Sequence, residues 1–444
     1  MSPSPRPPGP TWATETRRPW KVIYSEISRG LLPIVRGRFE RFGDLVYATN
    51  LTGTPLYSLR HPDHIHEVLV TRATDFTKRS KDLEVYLGQG LFTSNGEFWR
   101  KQRRLIQPAF HKENMSRYAE VMIEHTRQKV ATWVPGEIRD INREMMELTL
   151  TVVARALLNY DTQRDHLTVA KAMGVIQETA GFPSILPRWV PTPLHKKQQA
   201  AIDALDGIIL PMIDACTPEN RGTDLLSLLK FEPGEAGPMS RQQLRDELVT
   251  MFMAGHETTA LALTWTLYLL SQNREEERRM QAEVDRVLEG RPATFADLER
   301  LEYVRLVVQE SLRMFPPLYL TPRVAATDTE VGGFPIKKGS ELLIWTYFLQ
   351  RDERWFPDPA RFWPERFLPE TQGVLHPHAF IPFGAGPRAC IGRHFAMAEL
   401  VLMLASIAQR CELRLAPGQD VRMNARVTLA PQFPIQMEIL ERRS

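Results

Sequence analysis

The chain has 444 residues, 43% hydrophobic and 25% charged, the profile of a globular protein rather than of a collagen-like or disordered one. Its 56 Lys and Arg nearly balance 53 Asp and Glu, and a formal net charge of +3 gives no overall field for nucleic acid. Three cysteines, Cys216, Cys390 and Cys411, are too few for a disulfide framework and suit a reducing compartment.

No stretch reaches the roughly 18 uninterrupted apolar residues of a membrane span, and the proline-rich start lacks the apolar core of a signal peptide. A cytoplasmic location is expected, with residues 1–20 an extended leader and residues 21–444 one domain. Two β-prone runs, 44–50 and 54–59, flank Gly53 and predict a hairpin. The strongest helix opens at Ser240, whose Ser-x-x-Gln spacing after Gly237-Pro238 is a capping box, and nothing breaks it until about Ser271. That length, roughly 32 residues or about 48 Å, would cross a whole domain. Its middle is apolar almost all round but holds Gly255, Glu257, Thr258 and Thr259, locally a poor helix sequence. A second helix over 301–314 stops at Phe315-Pro316-Pro317 and carries Glu310 and Arg313 one turn apart. Residues 324–343 read as short strands and 355–369 as a proline-rich loop. A helix follows Cys390, and β-prone segments close the chain. One mainly α domain with a small β part fits this order.

The run Phe383-Gly384-Ala385-Gly386-Pro387-Arg388-Ala389-Cys390-Ile391-Gly392 carries the most chemistry. Its glycines and proline make a tight loop whose backbone N–H groups can turn towards the sulfur, just before a helix N-terminus. Those donors, the helix dipole and Arg388 are expected to lower the Cys390 thiol pKa and favour thiolate. A loop-held thiolate suits a single axial ligand to haem iron, where its electron density favours O–O cleavage. The competing reading is an ordinary buried cysteine in a glycine-rich turn. Cys216 and Cys411 have no such setting and read as structural. Two look-alikes fail on context: His256-Glu257 lacks the second histidine of a zinc-protease motif, since position 260 is Ala260, and residues 384–389 lack the βαβ setting of a dinucleotide fingerprint.

The cysteine loop resembles the haem-binding pattern of the cytochrome P450 family, Phe-x-x-Gly-x-Arg-x-Cys-x-Gly, at Phe383, Gly386, Arg388, Cys390 and Gly392. Further motifs stand in the family's order: Trp99-x-x-x-Arg103, Ala254-Gly255-His256-Glu257-Thr258-Thr259, Glu310-x-x-Arg313 and Pro364-Glu365-Arg366-Phe367. The resemblance implies the P450 fold, a single large domain enclosing haem b. Cys390 would be the iron ligand, and Glu257 and Thr258 would deliver protons to bound dioxygen. Trp99, Arg103, Arg323, Phe383 and Arg388 would hold the cofactor, the arginines through forked bonds to its propionates. Arg366 would join Glu310 and Arg313 in a buried ion network.

By the same resemblance the substrate pocket draws on Leu83, Phe92, Met251, Ala254, Leu318, Leu320 and Leu429, so a hydrophobic small molecule is expected, hydroxylated or epoxidised with one atom of dioxygen. The chain beyond Cys390 is short for a reductase domain, which implies electrons from NAD(P)H through a separate ferredoxin and its reductase, or a flavodoxin-type donor. Arg100, Lys101 and Arg104 are expected on an outer face that can receive an acidic partner. The alternatives are a peroxygenase or hydroperoxide isomerase on the same haem site, which usually loses the acid–alcohol pair, and a non-catalytic gas sensor, which does not need it.

Overall fold

The two β-prone runs pair as the sequence suggests. β1 (Leu45–Thr49) and β2 (Pro55–Leu59) form an antiparallel hairpin in which Tyr47 lies opposite Tyr57, their ring centroids 5.4 Å apart and edge to face. The computed structural model describes residues 6–10, 30–50, 53–162, 165–180, 190–222, 224–232, 238–372 and 375–442. Of the expected leader, residues 6–10 therefore have a described position, and the rest lies outside the described residues. Pro8 O accepts from Tyr47 N at 3.0 Å, and the Arg6 guanidinium lies 5.5 Å from the Tyr47 ring centroid, so this piece docks beside β1.

The other strands are β3 (Phe76–Lys78), β4 (Ile138–Asp140), β5 (Thr321–Ala325), β6 (Thr329–Val331), β7 (Phe334–Ile336), β8 (Glu341–Ile344), β9 (Cys411–Leu415), β10 (Met423–Ala425), β11 (Leu429–Pro431) and β12 (Gln436–Glu441). The main sheet has the order β1-β2-β8-β5-β3. It is antiparallel except where β2 meets β8. β4, β12 and β9 make a second sheet, and β6-β7 and β10-β11 are separate pairs.

The helices that position the site are α1 (Lys81–Leu87), α2 (Gly96–Ile106), α3 (Lys112–Val130), α4 (Ile141–Leu158), α5 (His166–Thr179), α6 (Pro193–Ala215), α7 (Arg241–Gln272), α8 (Glu302–Met314) and α9 (Arg393–Ala408). α7 has the expected 32 residues, and its Ser240 cap accepts from Gln243 N at 3.2 Å. In its awkward middle the hydroxyls of Thr250, Thr258, Thr259, Thr264 and Thr266 each donate to the carbonyl four residues upstream, at 2.6 to 2.9 Å, which satisfies them within the helix without stabilising it. Burial of nearly the whole surrounding surface supplies what helix propensity does not.

α7 is the axis of the fold. It packs along α4, α6 and α8, and α9 runs against both α7 and α3. Gly255 sets the α4 approach: a Cβ there would lie 2.9 Å from Val153 Cγ2, and Thr149 Oγ1 donates to His256 O at 2.9 Å across the same contact. Among the described residues no helix is long and apolar enough to cross a membrane.

Candidate active site

The cysteine loop is held from within and from outside. Cys390 N donates to Phe383 O at 2.9 Å, Ala389 N donates to Gly386 O at 3.0 Å, and Gly392 caps α9. Gly384 and Gly386 adopt φ of +70° and +68°, which side-chain-bearing residues rarely do. Gly386 has a second reason to be glycine, since a Cβ would lie 1.9 Å from Leu69 O, the backbone on which the loop rests.

Cys390 is accessible to solvent, yet the chain wraps it closely enough that burial raises its thiol pKa. That corrects the expectation of a lowered value. The Gly392 N–H and the charges of Arg103, Lys78 and Arg393 do pull the pKa down, but less than burial pushes it up. Arg388 Nη2 donates to Ser94 O at 2.7 Å and Asn95 Oδ1 at 2.9 Å.

Around this sulfur stands a group of cations with no carboxylate partner among the described residues. Arg103 Nη1 donates to Ala389 O at 2.9 Å, next to Cys390, and Arg323 Nη1 donates to Pro322 O at 2.9 Å. The Arg388 guanidinium lies 3.9 Å from the Trp99 ring centroid. Burial pulls both Arg323 and Arg388 down to about 10. Lys78 joins them: β3 and β5 place it directly opposite Arg323, and burial, reinforced by Arg323 and Arg388, pulls it well below the usual lysine range. Like charges facing each other across a ladder destabilise the sheet unless an anion lies between them. A cluster this desolvated therefore fits a ligand carrying more than one carboxylate.

On α7, Ala254 is exposed although Met251, Phe252, His256 and Glu257 are buried, so this face of the helix borders an open cleft. Thr258, one turn on, donates to Ala254 O at 2.6 Å. Glu257 Oε1 accepts from Gln177 Nε2 of α5 and from Thr428 Oγ1, both at 2.6 Å. Burial raises its pKa, and these two bonds only partly offset that.

The Glu310 network is as buried as a charged cluster can be. Arg313 forms a forked pair with Glu310 at 2.7 and 2.8 Å, and Arg366 Nε reaches Glu310 Oε1 at 3.2 Å, all three side chains being at most 1% exposed. Arg313 Nη1 also donates to Gln350 O at 2.9 Å, while Gln350 Oε1 accepts from Ile381 N at 3.0 Å. The network thereby ties α8 to the strand of chain that enters the cysteine loop.

The Cytochrome P450 family profile matches residues 20–438. The chain belongs to the cytochrome P450 family. It is 37% identical to "Cyclooctatin synthase" and 36% identical to "Cyclooctat-9-en-7-ol 5-monooxygenase", both of Streptomyces melanosporofaciens. These matches cover 87% and 85% of this chain and 86% and 84% of the relatives. The crystal structure of the cytochrome P450DA heme domain superposes with a TM-score of 0.83 at 27% identity, over 93% of each chain. That of a cytochrome P450 (CYP102L1) gives 0.83 at 25%, over 93% of this chain and 97% of that one. The protein is thus a P450 monooxygenase, an oxidoreductase with the P450 fold.

The family's cofactor is haem, and the residues present fit it. Cys390 would offer sulfur to iron, and Lys78, Arg103, Arg323 and Arg388, which have no carboxylate partner among the described residues, would hold the propionates. Trp99 braces Arg388, and Phe383 packs against the core while its carbonyl fixes the Cys390 backbone. Of the expected pocket residues of this P450, Ala254 and Leu318 are exposed, Leu83, Phe92 and Leu320 half-buried, and Met251 and Leu429 buried. Arg100, Lys101 and Arg104 are exposed on α2, with Arg100 paired to Glu97.

Sequence reasoning missed Lys78, Gln177 and Thr428. Lys78 reads as a surface charge until the pairing of β3 with β5, far apart in the chain, sets it opposite Arg323. Gln177 and Thr428 are polar residues in otherwise apolar runs, a weak signal without a named partner.

Proposed function

We propose that this P450 inserts one oxygen atom from dioxygen into a C–H or C=C bond of a largely apolar, ring-shaped small molecule. Electrons would come from NAD(P)H through a separate ferredoxin and reductase, or a flavodoxin-type donor, in the cytoplasm. Residues 21–444 would act as one haem domain behind the leader of residues 1–20. The observation that carries the reading is the pair on α7, with Thr258 beside exposed Ala254 and Glu257 buried behind it. Haem ligated by Cys390 supplies the activation of dioxygen. Burial raises the Glu257 pKa above the ordinary carboxylate value, which suits it to pass a proton, and Gln177 and Thr428 hold its Oε1 in place. Thr258 offers a hydroxyl one turn from the exposed stripe, within reach of a bound ligand. A peroxygenase or a gas sensor needs neither group.

Substrate class follows from the walls. The residues expected to wall the site, Leu83, Phe92, Met251, Ala254, Leu318, Leu320 and Leu429, are all apolar. The relative named for cyclooctat-9-en-7-ol oxidises a compound of that alicyclic kind, which supports the ring-shaped class. The test is NADPH-dependent turnover of a panel of cyclic alkenols, fatty acids and steroids with added ferredoxin and reductase under isotopically heavy dioxygen. One heavy oxygen atom in a cyclic product is the expected result. Product formed only with added peroxide, or only from linear fatty acids, contradicts it.

A further inference from the structure

Three consecutive residues of α7 hold the backbone of one short segment, residues 86–91 at the end of α1 and beyond. Arg245 Nη1 donates to Tyr86 O at 2.8 Å, Asp246 Oδ2 accepts from Gln89 N at 2.8 Å, and Glu247 Oε2 accepts from Leu91 N at 2.9 Å. All three side chains belong to residues at most 5% exposed. Glycines permit the close approach. A Cβ on Gly88 would lie 2.1 Å from Asp246 Oδ2, and one on Gly90 would lie 2.2 Å from Thr250 Oγ1.

The same side chains reach further elements. Arg245 Nε donates to Asp206 Oδ1 of α6 at 2.6 Å, and Gln242 Nε2 donates to Asp246 Oδ1 at 2.9 Å. The Tyr86 hydroxyl meets that of Thr179 at the end of α5. One guanidinium therefore joins α6, α7 and the segment. Buried charges are costly unless paired, and the Asp246 carboxylate, beside Arg245, makes a charge-assisted bond to Gln89 N, whereas burial pushes Glu247 up to about 8 and its bond to Leu91 N is that of a neutral acid. Three such residues in succession are a device for clamping a backbone. The clamped segment leads straight to Phe92, whose ring centroid lies 3.0 Å from Lys78 Nζ in the cation cluster beside Cys390.

We propose that Arg245, Asp246, Glu247 and Asp206 form a latch that holds residues 86–91 against the cleft and couples them to α6. As positioning residues they set how fast an apolar ligand enters and leaves. The proposal rests on reading that cleft as the substrate site, but its test needs no turnover.

The haem-loaded protein is compared with Asp206→Asn and Asp246→Asn. Amide hydrogen exchange over residues 86–92 is expected to quicken about tenfold in each, while residues 393–408 stay as protected as before. Association and dissociation of 4-phenylimidazole, followed by haem absorbance, should both rise about fivefold with Kd held within about twofold, because a latch gates the path and leaves the bound state alone. The reduced carbon-monoxide spectrum should not change. If Asp246→Asn fails to fold, Asp206→Asn decides, its carboxylate being partly exposed. Unchanged exchange over 86–92 overturns the latch, and faster exchange with unchanged ligand rates overturns its gating role. Failure to find any oxygenated product would sink the monooxygenase substrate proposal and leave both readouts standing.

Discussion

Thr258 and Glu257 are neighbours in sequence with different tasks. Thr258→Ala keeps the surrounding packing but removes the hydroxyl that proton delivery needs. The expected outcome is haem and substrate binding as before, with NADPH consumed, hydrogen peroxide rising and product per NADPH falling severalfold. Unchanged product per NADPH means that Thr258 only fills the helix. Glu257→Gln keeps the shape and loses the ionisable group, so turnover should slow. Thr428→Val removes a bond that lowers the Glu257 pKa, so that pKa should rise further and the midpoint of the turnover–pH profile should move upward. A profile that stays in place rules out Glu257 as the titrating group. The acid and the alcohol were readable from their setting in an apolar helix. Their supports were not, because Gln177 and Thr428 reach Glu257 from elements remote in the chain.

Two buried ionisable sites bear directly on stability. In Glu310→Ala or Arg313→Ala the surviving partner is stranded without compensation, at a cost of about 3–5 kcal/mol. That is a large part of a typical stability of roughly 5–15 kcal/mol, so little haem-loaded protein should be recovered. Normal yield and haem content would show that the pair does not hold the cysteine loop. The second is Glu399 on α9. It is fully buried, neither of its oxygens makes a hydrogen bond among the described residues, and the neighbouring Thr259 hydroxyl donates to Gly255 O. Burial pushes it up to about 8. The folded state thus binds a proton that the unfolded state releases near the ordinary value of 4.5. Stability from this group is complete below that value and is lost as pH rises towards 8, at up to about 1.4 kcal/mol per pH unit. Thermal melts of Glu399→Gln between these limits should be flatter with pH than those of the parent, and parallel curves would contradict the assignment. The long helix, its cap and the Glu-x-x-Arg pair were legible from caps, breakers and spacing. The Gln350 link from that pair to Ile381 was not, because it is made by side-chain and backbone groups that no pattern marks.

At the scale of the whole molecule the net charge is only +3, so any steering of a redox partner must be local. Arg100, Lys101 and Arg104 lie exposed on α2, the helix that also carries Arg103 beside the cysteine loop. Their field is screened as the Debye length shrinks from about 10 Å at 0.1 M salt to about 3 Å at 1 M. Reduction by an acidic ferredoxin should therefore slow with salt, while reduction by a small neutral reductant should not. Replacing the three by glutamate should remove most of the ferredoxin rate, and a salt-independent rate would place the docking face elsewhere. Composition and motif order made the architecture legible. The latch on residues 86–91 was not, since Arg245, Asp246 and Glu247 look like an ordinary charged helix start until the fold buries them.

The central claim is that Cys390 is the thiolate ligand of a haem monooxygenase, and the reduced carbon-monoxide spectrum tests it most directly. The parent protein and the Cys216→Ser and Cys411→Ser variants should give the thiolate-type band. Cys390→Ser should lose it, because a hydroxyl donates far less electron density to iron than a thiolate does. A thiolate-type band that survives in Cys390→Ser would contradict the account.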